Sequence, residues 1–398
     1  MARVAVRVSE IRSKAFFLVM VIFLFFAIAN MLSTWPLDKV SFILFAILFV
    51  MYKCLGMNRG SKFDSVSLIT FSLVAVLILI STILSIDELV FSFEVDLMLI
   101  SFFTLLTFMV VVGVGRDYLL IIKLFVFSVS IYLAFGVFAW VYSTFTGNIY
   151  FVQPLYGKGM PDVFGAISFS TTQQVFGTFA VLMLSAIYFL RKNGVKVYCY
   201  NALLLASVIS VFVSLNRVWI LFLLACFFLF LGKRFLRFFI PVCIFVAVLL
   251  VVYMDVMLAL GTVESRINMM LLEYDFWLSQ DFRHMLFGRP FFDGYYFFMH
   301  GRDFDYLECG PFFILINFGL IGLVFASIIF FVLTLKALKV SFYLGFLTFY
   351  YLFFVQFMTQ EFLSISFWLF IVVVMAIINL ERRGALGGRD EVRIDSSL

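Results

Sequence analysis

Runs of about twenty apolar residues, cut by short charged clusters, recur along the whole 398-residue chain. Hydrophobic residues make up 65% of it and charged residues 13%. A soluble domain is roughly 45–50% apolar and about 25% charged, so a surface of this composition would not stay in water. Fifty-eight Phe and only six Pro suit uninterrupted membrane helices. One crossing takes about 20 apolar residues, so a dozen would use roughly 240 and leave about 160 for loops and tails. The expected fold is therefore all-α: a polytopic integral-membrane helical bundle of about 12 transmembrane helices. It forms a single domain over 1–380, and a polar cytoplasmic tail, 381–398, reads as disordered.

Twelve candidate spans lie near 15–33, 38–55, 65–86, 93–114, 118–143, 171–190, 197–215, 217–232, 236–255, 311–335, 340–358 and 362–380. Arg3, Arg7, Arg12 and Lys14 precede the first, which resembles a signal peptide. Its apolar run is long for one, and it reads as an uncleaved helix. With the N-terminus inside, alternate connections hold 21 of the 28 Lys and Arg. The other side holds Lys39, Lys158, Arg217, Arg266, Arg283, Arg289 and Arg302. That asymmetry predicts both termini in the cytoplasm. Five Cys (54, 199, 226, 243, 309) show no paired spacing, and neither a disulfide framework nor a metal knuckle is readable.

Two outer segments are more than hairpin turns. Residues 144–170 are rich in Gly, Pro and Tyr and include Tyr156 and Lys158; residues 256–310 form a large loop between spans 9 and 10. Structureless loops of such length are uncommon unless they serve a function. In the second, Ile267, Met270, Leu271, Tyr274, Leu278, Phe282, Met285 and Leu286 recur at helical spacing, with Arg266, Glu273, Gln280 and Arg283 on another face. The pattern predicts an interfacial helix on the outer leaflet. Both histidines, His284 and His300, fall in this loop with four arginines. A long wet loop explains its Asp residues, but it explains less well the arginines on a side that otherwise avoids them.

Arg217 occupies a tight outer hairpin, Ser214-Leu215-Asn216-Arg217. It is either a snorkelling anchor or a guanidinium gripping an anionic headgroup, whose oxygens match its fork. Glu308 stands just before the tenth span, where a carboxylate either complements a helix dipole or acts as a general base. Leu286-Phe287-Gly288-Arg289-Pro290 reads as a turn ending the loop helix. Gly319-Leu320-Ile321-Gly322 reads as close helix packing. Glu94 and Asp96 are more simply interfacial than part of a site wall. Walker loops, GxGxxG and HExxH motifs do not occur.

In this order and at these spacings the features resemble the O-antigen polymerase and ligase superfamily of bacterial membrane glycosyltransferases (Wzy-type polymerases). The resemblance covers roughly residues 200–325; before residue 190 it is one of hydropathy alone. It rests on the Arg217 hairpin, Ser265-Arg266-Ile267, Leu286-Phe287-Gly288-Arg289, and Glu308 eleven positions before Gly319-Leu320-Ile321-Gly322. The ligase branch typically carries His where Glu308 stands, which favours the polymerase branch.

The resemblance implies a GT-C-like fold in the bacterial inner membrane and a metal-independent, cofactor-free, inverting transfer at the periplasmic face. A growing glycan on undecaprenyl diphosphate would pass to a second lipid-linked repeat unit, with a chain-length regulator as a further partner and no nucleic acid. It assigns Glu308 as base and Arg217 and Arg289 to the diphosphate. Arg266, Arg283, His300, Arg302, Tyr156 and Lys158 would bind substrate. A ligase, another polyprenyl-phosphate-dependent glycosyltransferase and a lipid-linked oligosaccharide flippase are the alternatives. A carrier usually shows internal repeats and ionisable groups at mid-depth, and neither is evident here. A structural scaffold leaves the arginine asymmetry unexplained.

Overall fold

A computed structural model of the chain describes residues 2–29, 37–55, 118–155, 160–169, 172–230, 261–289, 297–299, 302–304, 307, 309–358, 361–362 and 364–386. The elements are α1 (Ala2–Ile28), α2 (Leu37–Leu55), α3 (Tyr118–Thr146), β1 (Val152–Leu155), β2 (Met160–Ala166), α4 (Gln173–Lys192), α5 (Tyr200–Val213) and α6 (Arg217–Phe230). After them come α7 (Gly261–Leu278), α8 (Phe282–Phe287), β3 (Phe297–Met299), β4 (Arg302–Phe304) and α9 (Gly310–Val340). Last are α10 (Phe342–Phe349), a π-helix (Tyr350–Val355), α11 (Gln356–Met358) and α12 (Ile365–Leu386). The expected spans at 65–86, 93–114 and 236–255 lie outside the described residues.

The protein is predominantly helical. Among the described residues, four helices are long and apolar enough to cross a membrane: α3, α4, α9 and the first part of α12. The 14-residue α5 is about 21 Å long at 1.5 Å per residue, short of a full hydrocarbon core. α4 sits at the centre. Its most apolar stretch is 83% buried, whereas that of α9 is 22% buried. A helix apolar all round belongs inside, and α4 packs against α3, α5, α6 and α12. Gly136 of α3 makes room for Phe176; a Cβ there would overlap that ring. At the rim, Leu320, Val324, Ile328, Phe331, Leu335 and Leu338 of α9 form one exposed stripe. A patch of that kind calls for lipid rather than water.

The helices share two ends of opposite character. At one, Lys192 of α4 pairs with Glu381 of α12 (2.6 Å), and Asn193 donates to the same carboxylate (2.7 Å). At the other lie the hairpin β1–β2 and the first turns of α4, α6 and α12. Trp140 near the end of α3 donates to Phe164 O (2.8 Å), and Gln173 at the start of α4 donates to Gln153 O (3.3 Å). This is the loop end, and α4 and α12 run parallel away from it.

Three expectations are corrected. The bundle is helical, but the two long segments carry antiparallel hairpins, β1–β2 and β3–β4, so all-α does not describe them. The loop helix is two helices, α7 and α8, because Asp281 caps the second by accepting from His284 N–H (3.3 Å). The tail does not begin at Glu381: α12 continues to Leu386, and Glu381 is held by Lys192 and Asn193.

Candidate functional site

α7 has Ile267, Leu271, Tyr274 and Leu278 exposed, while Met269 and Glu273 are buried and Leu272, Phe276 and Trp277 pack against the core. Four exposed apolar side chains on one helix suit an outer surface in contact with lipid. Glu273 lies close to Cys309, the residue before α9, and burial with that carboxylate nearby pushes the Cys309 thiol up to about 12. Arg266, on the same helix, donates to the carbonyl of Met358 at the end of α11. That bond occupies a C-terminal carbonyl left open by the helix. Among the described residues Arg266 thus forms a strut between α7 and α11.

α8 ends in a cationic knot. His284 is 2% exposed, and its Nδ1 meets the carboxylate of Asp281. Its Nε2 lies 3.4 Å from Nη2 of Arg283. Nη2 of Arg289 also approaches the ring, 3.4 Å from Nδ1. Two guanidiniums and one carboxylate around the imidazole leave a net positive charge. Some desolvation works against the charged form of Asp281, yet the His284 hydrogen bonds and the charges of His284 and Arg283 outweigh it, so its pKa is lowered.

The knot is placed by two glycines. Gly288 (φ 79, ψ −178) closes α8, and Gly319 (φ 68, ψ −174) breaks α9. Both occupy a region essentially reserved for glycine. A Cβ on Gly288 would overlap the Asn317–Phe318 backbone, and one on Gly319 would overlap that of Leu286–Phe287. The break frees the carbonyl of Ile316, which an unbroken helix would give to Leu320. Arg289 N–H takes it instead (2.8 Å). The two sequence motifs are therefore one joint. Gly319 serves as a hinge point for α8, which corrects the expectation of simple helix packing.

Arg217 is exposed at the first position of α6. Leu215 turns the hairpin at φ 51, and Asn216 accepts from Val218 N–H (3.0 Å). Among the described residues Arg217 makes no hydrogen bond or ion pair, so nothing there joins it to the knot. Arg302 opens β4 opposite Met299. Glu308, His300, Tyr156 and Lys158 lie outside the described residues.

The residue that the sequence did not single out is Glu361, between α11 and α12. It is 5% exposed, and its Oε2 accepts from Tyr351 Oη (2.5 Å) and Ser366 Oγ (3.3 Å). Burial raises its pKa to about 7, against the opposing hydrogen bonds from Tyr351, Ser366 and Gln174. The Tyr351 ring is clamped between Trp219 (5.9 Å between centroids) and Phe370 (3.9 Å). Trp219 in turn donates to Thr178 (3.1 Å). One carboxyl thus ties α4, α6, the π-helix and α12 together at the loop end. Among the described residues no three His, Cys, Asp or Glu side chains gather closely enough to hold a metal ion.

No family model matches the chain, and no curated protein is similar to it.

Proposed function

We propose that the protein is a membrane glycosyltransferase of the polysaccharide-polymerase kind, acting on polyprenyl-diphosphate-linked sugars at its loop end. The observation that carries this reading is the knot on α8. Arg283 and Arg289 converge on one buried imidazole, and a paired guanidinium cluster of this kind suits a diphosphate. Breaking a sugar–diphosphate bond builds negative charge on the leaving group, and fixed guanidiniums stabilise it there. Arg217, exposed at its hairpin and without a hydrogen bond or ion pair among the described residues, would grip a phosphate. About 12 spans, a GT-C-like topology, an inner-membrane location with both termini cytoplasmic and an inverting, metal-independent outcome belong to this proposal.

Two carboxyls compete to take the acceptor's proton: Glu308, from its place in the sequence, and Glu361, from its surroundings. The flippase reading has Glu361 in its favour, since buried acids serve proton coupling. Carrier sites, however, lie near mid-depth. Glu361 bonds Ser366, in the first turn of α12, so it sits at a helix end.

The test is reconstitution with an undecaprenyl-diphosphate-linked repeat unit. The protein should build a ladder of longer glycans without ATP and with EDTA present. Arg289→Lys and Arg217→Lys should each lower the rate by about a hundredfold, since the bidentate fork is lost while the charge stays. Transbilayer movement of the lipid without polymer would replace the reading by the flippase.

A further inference from the structure

Glu361 and Gln356 have hydrogen-bonding capacity that the fold does not use. Oε1 of Glu361 has no hydrogen-bond partner among the described residues, although the residue is 95% buried, and Nε2 of Gln356, which is 1% exposed, lies beside Tyr351 without reaching hydrogen-bond geometry with any of them. The orientation of the Gln356 amide is fixed, because its Oε1 accepts from Glu361 N–H (3.1 Å). What remains is one acceptor and one donor on two side chains already in contact. A buried polar atom left without a partner costs about 1–3 kcal/mol. A connection needing only to be tied down has its tie in Tyr351 and Ser366. An unused acceptor beside an unused donor is the complement of a hydroxyl, which gives one hydrogen bond and takes another.

Two further observations point the same way. Tyr351 and Gln356 belong to, or directly follow, the π-helix Tyr350–Val355, and such bulges are frequent at functional sites. Among the described residues the groups facing the carboxyl are neutral: Gln174 from α4, Tyr351 from the π-helix, Gln356 from α11 and Ser366 from α12. No cation among the described residues acts on the carboxyl to hold it in its charged form, which leaves it able to take up and release a proton.

We infer that Glu361 is the proton acceptor for an incoming sugar hydroxyl, which Nε2 of Gln356 orients. This rests on the glycosyl-transfer reading and assigns its acceptor site. The hydroxyl proton passes to Oε1 of Glu361, and the freed oxygen pair forms the bond to the anomeric carbon. The bond from that carbon to the diphosphate oxygen breaks, its electron pair leaving on the diphosphate. Glu361 then gives the proton to water.

The experiment measures polymer formation by reconstituted protein on the undecaprenyl-diphosphate-linked repeat unit, from pH 5 to pH 9. The wild-type rate should rise through about pH 7 to a plateau. Glu361→Gln should lose at least about a hundredfold with its binding of the lipid diphosphate unchanged, and Glu361→Asp should retain part of the rate. Gln356→Leu should raise the KM for acceptor more than it lowers kcat. A Glu361→Gln protein with wild-type rate and pH profile, beside an inactive Glu308→Gln, overturns the assignment in favour of Glu308. If the wild type makes no polymer, it is the glycosyl-transfer reading that fails. The site is then read by infrared difference between wild type and Glu361→Gln. A protonated-carboxyl band that shifts on adding the lipid-linked sugar supports the hydroxyl site, and a band that ignores it overturns it.

Discussion

A carboxyl whose pKa stands near 7 couples stability to pH with a definite sign. Burial moves Glu361 from 4.5 to about 7, so the folded protein binds its proton more tightly than the unfolded chain does. Stability is then highest below pH 4.5, falls as pH rises towards 7, and is level above that, with a total change of about 3 kcal/mol for the group. Thermal unfolding in detergent at pH 5 and pH 8 should show this loss in the wild type and little of it in Glu361→Gln. Tyr351→Phe removes a donor that favours the carboxylate and should move the midpoint of the change upward. The arginines of the loop were legible in the sequence because they stand on the side that avoids positive charge. Glu361 was not legible. In sequence it is one acid in a short connection between spans, indistinguishable from a solvated turn. Its burial depends on Gln174, more than 180 positions earlier, and on Tyr351 held by Trp219 and Phe370.

Helices α8 and α9 show why periodicity alone misled. Small residues three apart inside an apolar run suggest a helix contact, and Gly319 does make one, but by leaving the helical conformation. Leu286 and Phe287 of α8 then fill the notch. Two separate motifs, Leu286-Phe287-Gly288 and Gly319-Leu320-Ile321-Gly322, carry no mark that Gly288 and Gly319 will meet. The break between α7 and α8 had a local signal in Asp281, a good N-cap, but the apolar spacing ran across it. That spacing revealed a face without saying whether lipid or protein covers it. Gly319→Ala should destabilise the protein by about 2–3 kcal/mol through its backbone conformation alone. It should also pull Arg289 away from Ile316 and His284, so that thermal stability and affinity for the lipid diphosphate fall together. Leu320→Ala, one residue on and exposed, should leave the affinity unchanged.

Over the molecule as a whole, the distribution of charge foretold which connections share an end, and the described helices agree. Lys192 and Glu381 meet at one end, while the hairpins and the loop helices gather at the other. The proposal takes the lysine-bearing end to face the cytoplasm, as the retention of positive charge inside predicts. The proposed chemistry depends on that sense, because lipid-linked glycans are extended at the outer face under the glycosyl-transfer reading. Cys199 provides a native reporter, exposed just before α5, where Arg191 of the lysine-bearing end lies over the Tyr200 ring (4.1 Å). Phe282, 75% exposed at the start of α8, reports the loop end. With the other cysteines replaced, a membrane-impermeant maleimide should label Phe282→Cys on intact spheroplasts and reach Cys199 only after they are opened. The reverse pattern would put the arginine knot in the cytoplasm. A diphosphate site would then face nucleotide-activated sugars, and the polymerase reading would give way to transfer from a soluble donor.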